Sequence, residues 1–516
     1  MAPVTSSPPW RAAVAGTRFL ALAALIECGR GATLVHCAPE HGKIRPDMRH
    51  ATPLPDSLHA AFDHWTVGAL VTNLLWTRCL GAAAIAAAQQ QRFAERSSHA
   101  RMHSPFYRRA WRDLPPGRVQ LSDLPVVTKS ELMAAFDDWA TDRAIAWRDV
   151  EPFIAARSHI GERFRDRYLV WTSSGTTGTP GVFLQDAAAL AAYDALVSVQ
   201  VIGAGLSADL NAAKRNGRAA LVTADSDHFA GITSWRRQAQ RKPWLDMASF
   251  PVTAPLPSIV AGLNQYDPAY VASYPTVLTL LADEQAAGRL HLELTALWAG
   301  GEALSDAARD AIEDAFGAPV HNEYGASECL SIGYACRHGA MHINADWVIL
   351  EPVDRHFKPT PPGGLSHTVL LTNLANVVQP IIRYDLGDRV RMRVGPCPCG
   401  NPLPALELSG RADDILRLQA SDGTFVKIAP LAIATVVEDA ARIYRFQILQ
   451  EAVDGLALRL ARADRERGEP ALLALRDYLD AQGLANVSLH LSELEPKEAR
   501  DGKLRQVVAL RGATPA

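Results

Sequence analysis

The stretch Trp171–Phe183 reads WTSSGTTGTPGVF. Gly175, Gly178 and Gly181 alternate there with Ser173, Ser174, Thr176, Thr177 and Thr179. Glycine admits positive φ and lets the backbone come close to a ligand. Successive N–H groups in such a loop make a concavity for an anion, and hydroxyls add donors. The apolar run Tyr168–Trp171 before the loop fits a strand, and Asp186–Gln200 after it suits a helix. By composition this is a phosphate-binding loop, although it lacks the GK[ST] ending of a P-loop NTPase. A plain Ser/Gly linker is the competing reading, and linkers rarely sit between a strand and a helix.

Downstream of Arg215 the pattern alternates. Ala219–Thr223, Ala269–Ser273, Thr295–Ala299 and Pro319–Asn322 read as strands. Pro275 suits the first turn of a helix running to Gly288, and Ser305 can cap a helix that ends at Gly317. Strand and helix alternating at this spacing predict a parallel sheet with helices on its faces. Ligands bind outside the carboxyl ends of such strands. Gly300-Gly301-Glu302 and Asn322–Glu328 (NEYGASE) both begin where a strand ends. Past Asp414 the pattern changes to short strands at Ile415–Leu418, Phe425–Ile428 and Phe446–Leu449, with helices at Pro430–Ala441 and Ala471–Ala481. That is enough for a small α+β domain. The expected fold is α/β: a large N-terminal domain with mostly parallel sheets and flanking helices over residues 67–412, and a small α+β C-terminal domain over 413–516.

The glycine-rich loop, NEYGASE, YDLGD (Tyr384–Asp388), GRADD (Gly410–Asp414) and Asp501-Gly502-Lys503 follow one another in the chain. In this order they resemble the motifs of the adenylate-forming superfamily, the acyl-CoA synthetases and their relatives. SPFYRRAW at Ser104–Trp111 and LPVVTKSEL at Leu124–Leu132 look like the opening of the phenylacetate–CoA ligase branch. The resemblance runs from about Arg92 to the end.

The resemblance implies ATP-dependent adenylation of a carboxylic acid. Thr172, Ser173, Ser174, Gly175, Thr176, Thr177 and Gly178 would hold the β- and γ-phosphates, with Thr176 counted among the catalytic groups. Glu328 would carry Mg2+, which favours one or two carboxylates plus phosphate oxygens. Tyr324 would stack on adenine, beside Gly301, Glu302, Asn322, Gly325 and Ser327. Asp388 would accept from the ribose hydroxyls, and Arg411 would lie near ribose and phosphate. Lys503 is the implied catalytic lysine, bridging carboxylate and α-phosphate, with Lys497 as its rival. Singly, Tyr324 reads as a core aromatic, Glu328 as a helix-start acid and Asp388 as a turn residue; their shared order lifts them.

Cys336, His342, Cys397 and Cys399 form a second set. Thiolates and imidazole at four positions are what a structural zinc takes, and relatives in the branch hold zinc on a similar set. His338 could replace His342. Phe229, Trp235, Tyr274 and Trp298 lie near segments that line the acid pocket in the family, where aromatic walls suit a flat or aryl acid. After GRADD, the family's basic residue and glycine are altered: Leu416-Arg417-Leu418 runs into Gln419–Thr424, with Gly423 displaced. In the family this segment serves the second half-reaction.

The whole chain has 516 residues and a net charge of −3, which argues against a nucleic-acid partner. Seven cysteines are no disulfide scaffold and fit a reducing, cytoplasmic setting. Arg18–Cys28 resembles a weak signal-peptide core without a convincing cleavage site. Val67–Ala87 is apolar-rich but broken by Thr72, Asn73, Thr77 and Arg78, so it reads as a helix packed on the catalytic domain rather than a membrane span. Residues 1–66 read as an extension that the sequence does not interpret. The expected activity is an AMP-forming acid–CoA ligase using ATP, Mg2+ and coenzyme A, with a structural zinc. Two alternatives stand beside it: acyl transfer to an amine, carrier protein or other nucleophile, and nucleotide binding without catalysis. The sequence admits a homodimer and does not name the acid.

Overall fold

The computed structural model describes residues 56–115, 119–173, 180–203, 217–241, 246–409, 414–497 and 504–510. Ser174, Gly175, Thr176, Thr177, Gly178, Arg411, Asp413 and Lys503 lie outside them, as does nearly all of the N-terminal extension.

The apolar-rich segment forms two helices, α1 (Asp56–Cys79) and α2 (Ala82–His103), broken at Gly81, whose φ is 88°. The Arg78 guanidinium donates to both carboxylate oxygens of the fully buried Asp346, at 2.9 and 3.1 Å. Gln89 and Arg92 donate to the Ala345, Val348 and Asp346 carbonyls. Neither helix, nor any other among the described residues, is long and apolar enough to cross a membrane. Helix α3 (Lys129–Ala134) opens with a capping box, in which Thr128 and Glu131 satisfy each other's backbone N–H groups.

The glycine-rich loop does not lead into a helix. It joins β2 (Tyr168–Thr172) to β3 (Val182–Gln185), which pair antiparallel beside β1 (Arg163–Phe164). Helix α4 (Ala187–Gly203) follows only after β3. All nine residues of β2 and β3 are buried, so the loop stands on a stem without a solvent face.

The alternation runs β4 (Ala219–Thr223), α5 (Ala230–Arg241), β5 (Met247–Pro251), α6 (Leu256–Tyr266), β6 (Tyr270–Ser273), α7 (Pro275–Ala286), β7 (Ala296–Ala299), α8 (Asp306–Phe316) and β8 (Val320–Ala326), of which α5, β5 and α6 were not expected from the sequence. These five strands run parallel in the order β5-β4-β6-β7-β8. Ser305 caps α8 through its Oγ, 3.1 Å from the Ala308 N–H, and Gly317 ends it at φ 61°. At β8 the sheet turns antiparallel. It continues through β9 (Cys329–Ala335) and β10 (Met341–Ile343), while β11 (Val348–Val353), β12 (Thr368–Asn373) and β13 (Tyr384–Asp385) form a separate sheet. Strands β14 (Arg389–Met392) and β15 (Ala405–Ser409) complete the nine-stranded sheet beyond β10.

The C-terminal segment is α+β as expected. It comprises the hairpin β16 (Leu416–Gln419) and β17 (Phe425–Ile428), α9 (Pro430–Ala441), β18 (Phe446–Ala452), β19 (Gly455–Leu460), α10 (Gly468–Ala481), β20 (Ser488–Leu491) and β21 (Val507–Val508). Its apolar residues, among them Ile433, Val437 and Leu475, join those under the parallel strands in one continuous cluster. A second cluster, with Trp111, Trp139 and Trp171, fills the space around β1–β3 and the antiparallel half.

Candidate active site

A cavity of about 1350 Å3 opens where the carboxyl ends of the parallel strands meet the stem of the glycine-rich loop, the turn before β14 and helix α9. Ser173 is the last described residue of the loop on the β2 side. Its N–H donates to the Gly181 carbonyl (2.9 Å) and its Oγ accepts from the Gly181 N–H (2.7 Å), closing the loop's neck. A Cβ on Gly181 would come within 2.6 Å of the Phe183 ring, so the neck tolerates only glycine there. Thr172 is buried beneath the neck and is not on the cavity wall. Its N–H donates to the His228 carbonyl, and its carbonyl accepts from Ser327 Oγ at 3.0 Å. Thr172 and Ser327 thus fasten the stem of the glycine-rich loop to the NEYGASE turn.

Glu328 lies in the turn between β8 and β9, lines the cavity and is buried. Its Oε1 accepts from the Tyr384 hydroxyl at 2.6 Å, and its carbonyl accepts from Asn373 Nδ2 at 2.9 Å. Gly325 permits this turn, because a Cβ there would sit 2.1 Å from the Leu330 carbonyl oxygen. The Tyr324 hydroxyl donates to Asp388 Oδ2 at 2.8 Å. Burial, reinforced by the Asp388 carboxylate, holds the Tyr324 phenol far above its ordinary pKa and keeps it a donor. The implied adenine and ribose residues therefore share one wall, with Asn322 beside them. Gly301 takes φ 80° against the Tyr274 ring. Glu302 lines the cavity, yet its Oε2 accepts from both the N–H and the hydroxyl of Thr276, capping α7.

Lys129 was not singled out from the sequence. It opens α3, lines the cavity, and its Nζ stands 3.4 Å from Ser173 Oγ. Burial lowers its pKa, partly offset by the nearby Glu328 carboxylate. The capping-box pattern TKSE marks this lysine as a helix-start residue, and that was the available signal. Of the four aromatics expected at the acid pocket, Phe229, Tyr274 and Trp298 line the cavity. Trp235 does not; its Nε1 donates to the Ala248 carbonyl and it packs against the cluster of Ile160, Leu221 and Ile232. The rival lysine, Lys497, is exposed on the C-terminal segment and does not line the cavity.

The ligand atoms of Cys336, His342, Cys397 and Cys399 all lie within 4.8 Å of one another. Cys336 and Cys397 sulfurs are 3.8 Å apart, and Cys399 Sγ is 3.3 Å from His342 Nε2. His342 Nδ1 faces the Leu403 carbonyl at 2.9 Å, the outer contact that fixes a metal-binding imidazole with Nε2 free. His338 is exposed and turned to Arg337, so His342 holds the fourth position. Three sulfurs and one imidazole nitrogen fit a tetrahedral zinc.

No protein-family model matches the chain. It is 27% identical over 465 residues to phenylacetate-coenzyme A ligase of Thermus thermophilus, a match covering 82% of this chain and 96% of that protein. A segment of 132 residues, 25% of this chain and 28% of the other, is 29% identical to protein CapK of Staphylococcus aureus. Among solved structures, a 2-hydroxyisobutyryl-CoA ligase with 2-HIB-AMP and CoA in the thioesterification state aligns over 83% of this chain and 89% of that one, at 22% identity and a TM-score of 0.49. The nearly full-length similarity to a phenylacetate–CoA ligase stands beside the convergence of the loop neck, NEYGASE and YDLGD on one cavity, as the resemblance to the adenylate-forming superfamily implies.

Proposed function

We propose that the protein is an AMP-forming acid–CoA ligase. The observation that carries this is the meeting of Glu328, the Tyr324–Asp388 pair, Lys129 and the phosphate-loop neck on one cavity wall. In the first half-reaction a carboxylate oxygen attacks the α-phosphorus of ATP, the bond to the β-phosphate oxygen breaks, and pyrophosphate leaves. Both reactants are anions, so positioned charge and alignment supply most of the catalysis. Lys129 and the loop hydroxyls receive the phosphates, Asp388 accepts from the ribose, and Tyr324 orients Asp388 while presenting its ring to the base. Glu328 would hold Mg2+, which neutralises phosphate charge when bound. Lys503 would bridge the carboxylate and the α-phosphate.

In the second half-reaction the thiol of coenzyme A attacks the acyl carbon and AMP leaves. Residues 413–516 act as the lid that serves both steps, hinged near Asp413. Cys336, His342, Cys397 and Cys399 hold a structural zinc that staples the β9–β10 turn to the loop before β15. The setting is cytoplasmic. The test is acid-dependent pyrophosphate release from ATP, measured with and without coenzyme A over a panel of aryl and acyl acids. Release followed by thioester formation is expected. Release without a thioester would move the acceptor to an amine or a carrier-protein thiol; no release with any acid would refute the adenylation.

A further inference from the structure

Glu323 lies between two residues of the nucleotide wall, yet by strand alternation it faces the other way. Leu221, Ala272, Trp298 and His321 stand in register across β4, β6, β7 and β8. Two residues further along each strand come Thr223, Tyr274, Gly300 and Glu323, on the same face and at the carboxyl ends. Leu221, Ala272, Trp298, Thr223 and Tyr274 all line the cavity, as does Phe229 from the start of the α5 segment. Glu323 therefore belongs to the aromatic, acid-accepting side rather than to the ribose and phosphate side.

Its surroundings do not account for a carboxyl group. Glu323 is half-buried, lines the cavity, and has no hydrogen bond or ion pair to its carboxylate among the described residues. Burial alone raises its pKa to about 7. An unpaired carboxyl in such a place costs stability and repels both ATP and the substrate's own carboxylate. Cations line the cavity at Lys129, against the phosphate-loop neck, and at Arg309, Arg389 and Arg393, and among the described residues none of them pairs with Glu323. The cavity thus keeps an unanswered acid on its aromatic side.

Resting on the adenylation reading above, we propose that the acid taken by this cavity carries a second, cationic group, a protonated amine or amidine, that Glu323 binds. The carboxylate and ammonium would form a charge-assisted hydrogen bond, while Phe229 and Trp298 flank the carbon skeleton. The substrate class is then an amino-substituted carboxylic acid.

Three matched pairs test this, each exchanging an ammonium for a methyl group at a different distance from the carboxylate: phenylalanine and 2-methyl-3-phenylpropanoate, 4-(aminomethyl)benzoate and 4-ethylbenzoate, 6-aminohexanoate and heptanoate. Calorimetric binding in the presence of AMP is measured for wild type, Glu323→Gln and Glu323→Leu. Acid-dependent pyrophosphate exchange is recorded on the same samples, and AMP affinity serves as the check on folding. At least one ammonium acid should bind wild type 10-fold or more tightly than its methyl partner. Glu323→Leu should abolish or reverse that ratio with AMP affinity kept, and Glu323→Gln should fall between. Equal or tighter binding of every methyl partner, an unchanged ratio in Glu323→Leu, or no binding by any of the six would overturn the proposal. Binding with the expected ratio but no pyrophosphate exchange would uphold it while refuting the ligase reading.

Discussion

Tyr384→Phe isolates the contact that orients Glu328. The phenol and the carboxylate are both buried, 2% and 6% exposed, and are joined by a 2.6 Å bond. No other hydrogen bond reaches that carboxylate among the described residues. Phenylalanine keeps the ring and removes only the donor. A hydrogen bond to a charged group contributes about 1.5–3 kcal/mol, or roughly a 10- to 100-fold change at about 1.4 kcal/mol per decade. Loss of an outer contact to a metal-binding carboxylate typically costs a similar factor in metal affinity. Apparent Mg2+ affinity should therefore fall by roughly 10- to 100-fold, with much of the rate restored at high Mg2+. The assay is acid-dependent ATP–pyrophosphate exchange across a Mg2+ titration, with thermal melting as a check on folding. A variant with wild-type Mg2+ dependence and normal melting would show that Glu328 does not carry the metal.

Lys129→Met should raise the KM for ATP about 10-fold or more without lowering the melting temperature, because burial already opposes the charge it removes; an unchanged KM would take Lys129 out of the phosphate site. Lys503→Ala should slow adenylate formation by a factor equivalent to roughly 3–4 kcal/mol while ATP still binds, and near-normal exchange would redirect attention to Lys497. Protein purified without chelator should carry one zinc per chain, and His342→Gln or Cys397→Ser should lose both metal and thermal stability; metal analysis finding none would exclude the site. Glu438 lies on α9 at the cavity, accepts from Gln506 Nε2 at 3.2 Å, and is raised to about 8 by burial, with Asp439 and Asp227 adding to the effect. A raised carboxyl pKa means the folded state holds the extra proton, so this contribution is full below the unfolded pKa near 4.5 and is lost as pH rises to about 8. Glu438→Gln should accordingly melt higher than wild type above pH 8 and alike near pH 5; parallel melting curves across that range would refute it.

From Ala269 to Asn322 the alternation was legible because elements carried their own punctuation, such as Ser305 before α8 and Gly317 after it, whereas α5, β5 and α6 were missed. Strand β3 was missed because Val182–Gln185 is four residues of unbroken burial with no alternation; proximity to the loop made it read as the approach to a helix. The Cys/His cluster was legible because cysteine and histidine are chemically narrow, and geometry then separated His342 from His338. Tyr324 and Asp388 were named for separate tasks, but their mutual hydrogen bond spans 64 residues, and no local pattern encodes it. Phe229 and Trp235 pack on one small apolar cluster, yet only Phe229 reaches the cavity, while the Trp235 indole donates to the Ala248 carbonyl.

The clasp between the N-terminal helices and the loop after β10 sets a limit on how the molecule can be shortened. The motif resemblance starts near Arg92, and trimming to that point would look harmless on paper. It would delete Arg78 and Gln89 and leave the Asp346 carboxylate, at zero exposure, without its guanidinium. Removing one member of a buried ion pair costs about 3–5 kcal/mol, a large share of the roughly 5–15 kcal/mol that holds a domain folded. The edge of ancestry and the edge of the folding unit are therefore different residues, and a truncation series should find soluble protein only where α1 keeps the turn that carries Arg78.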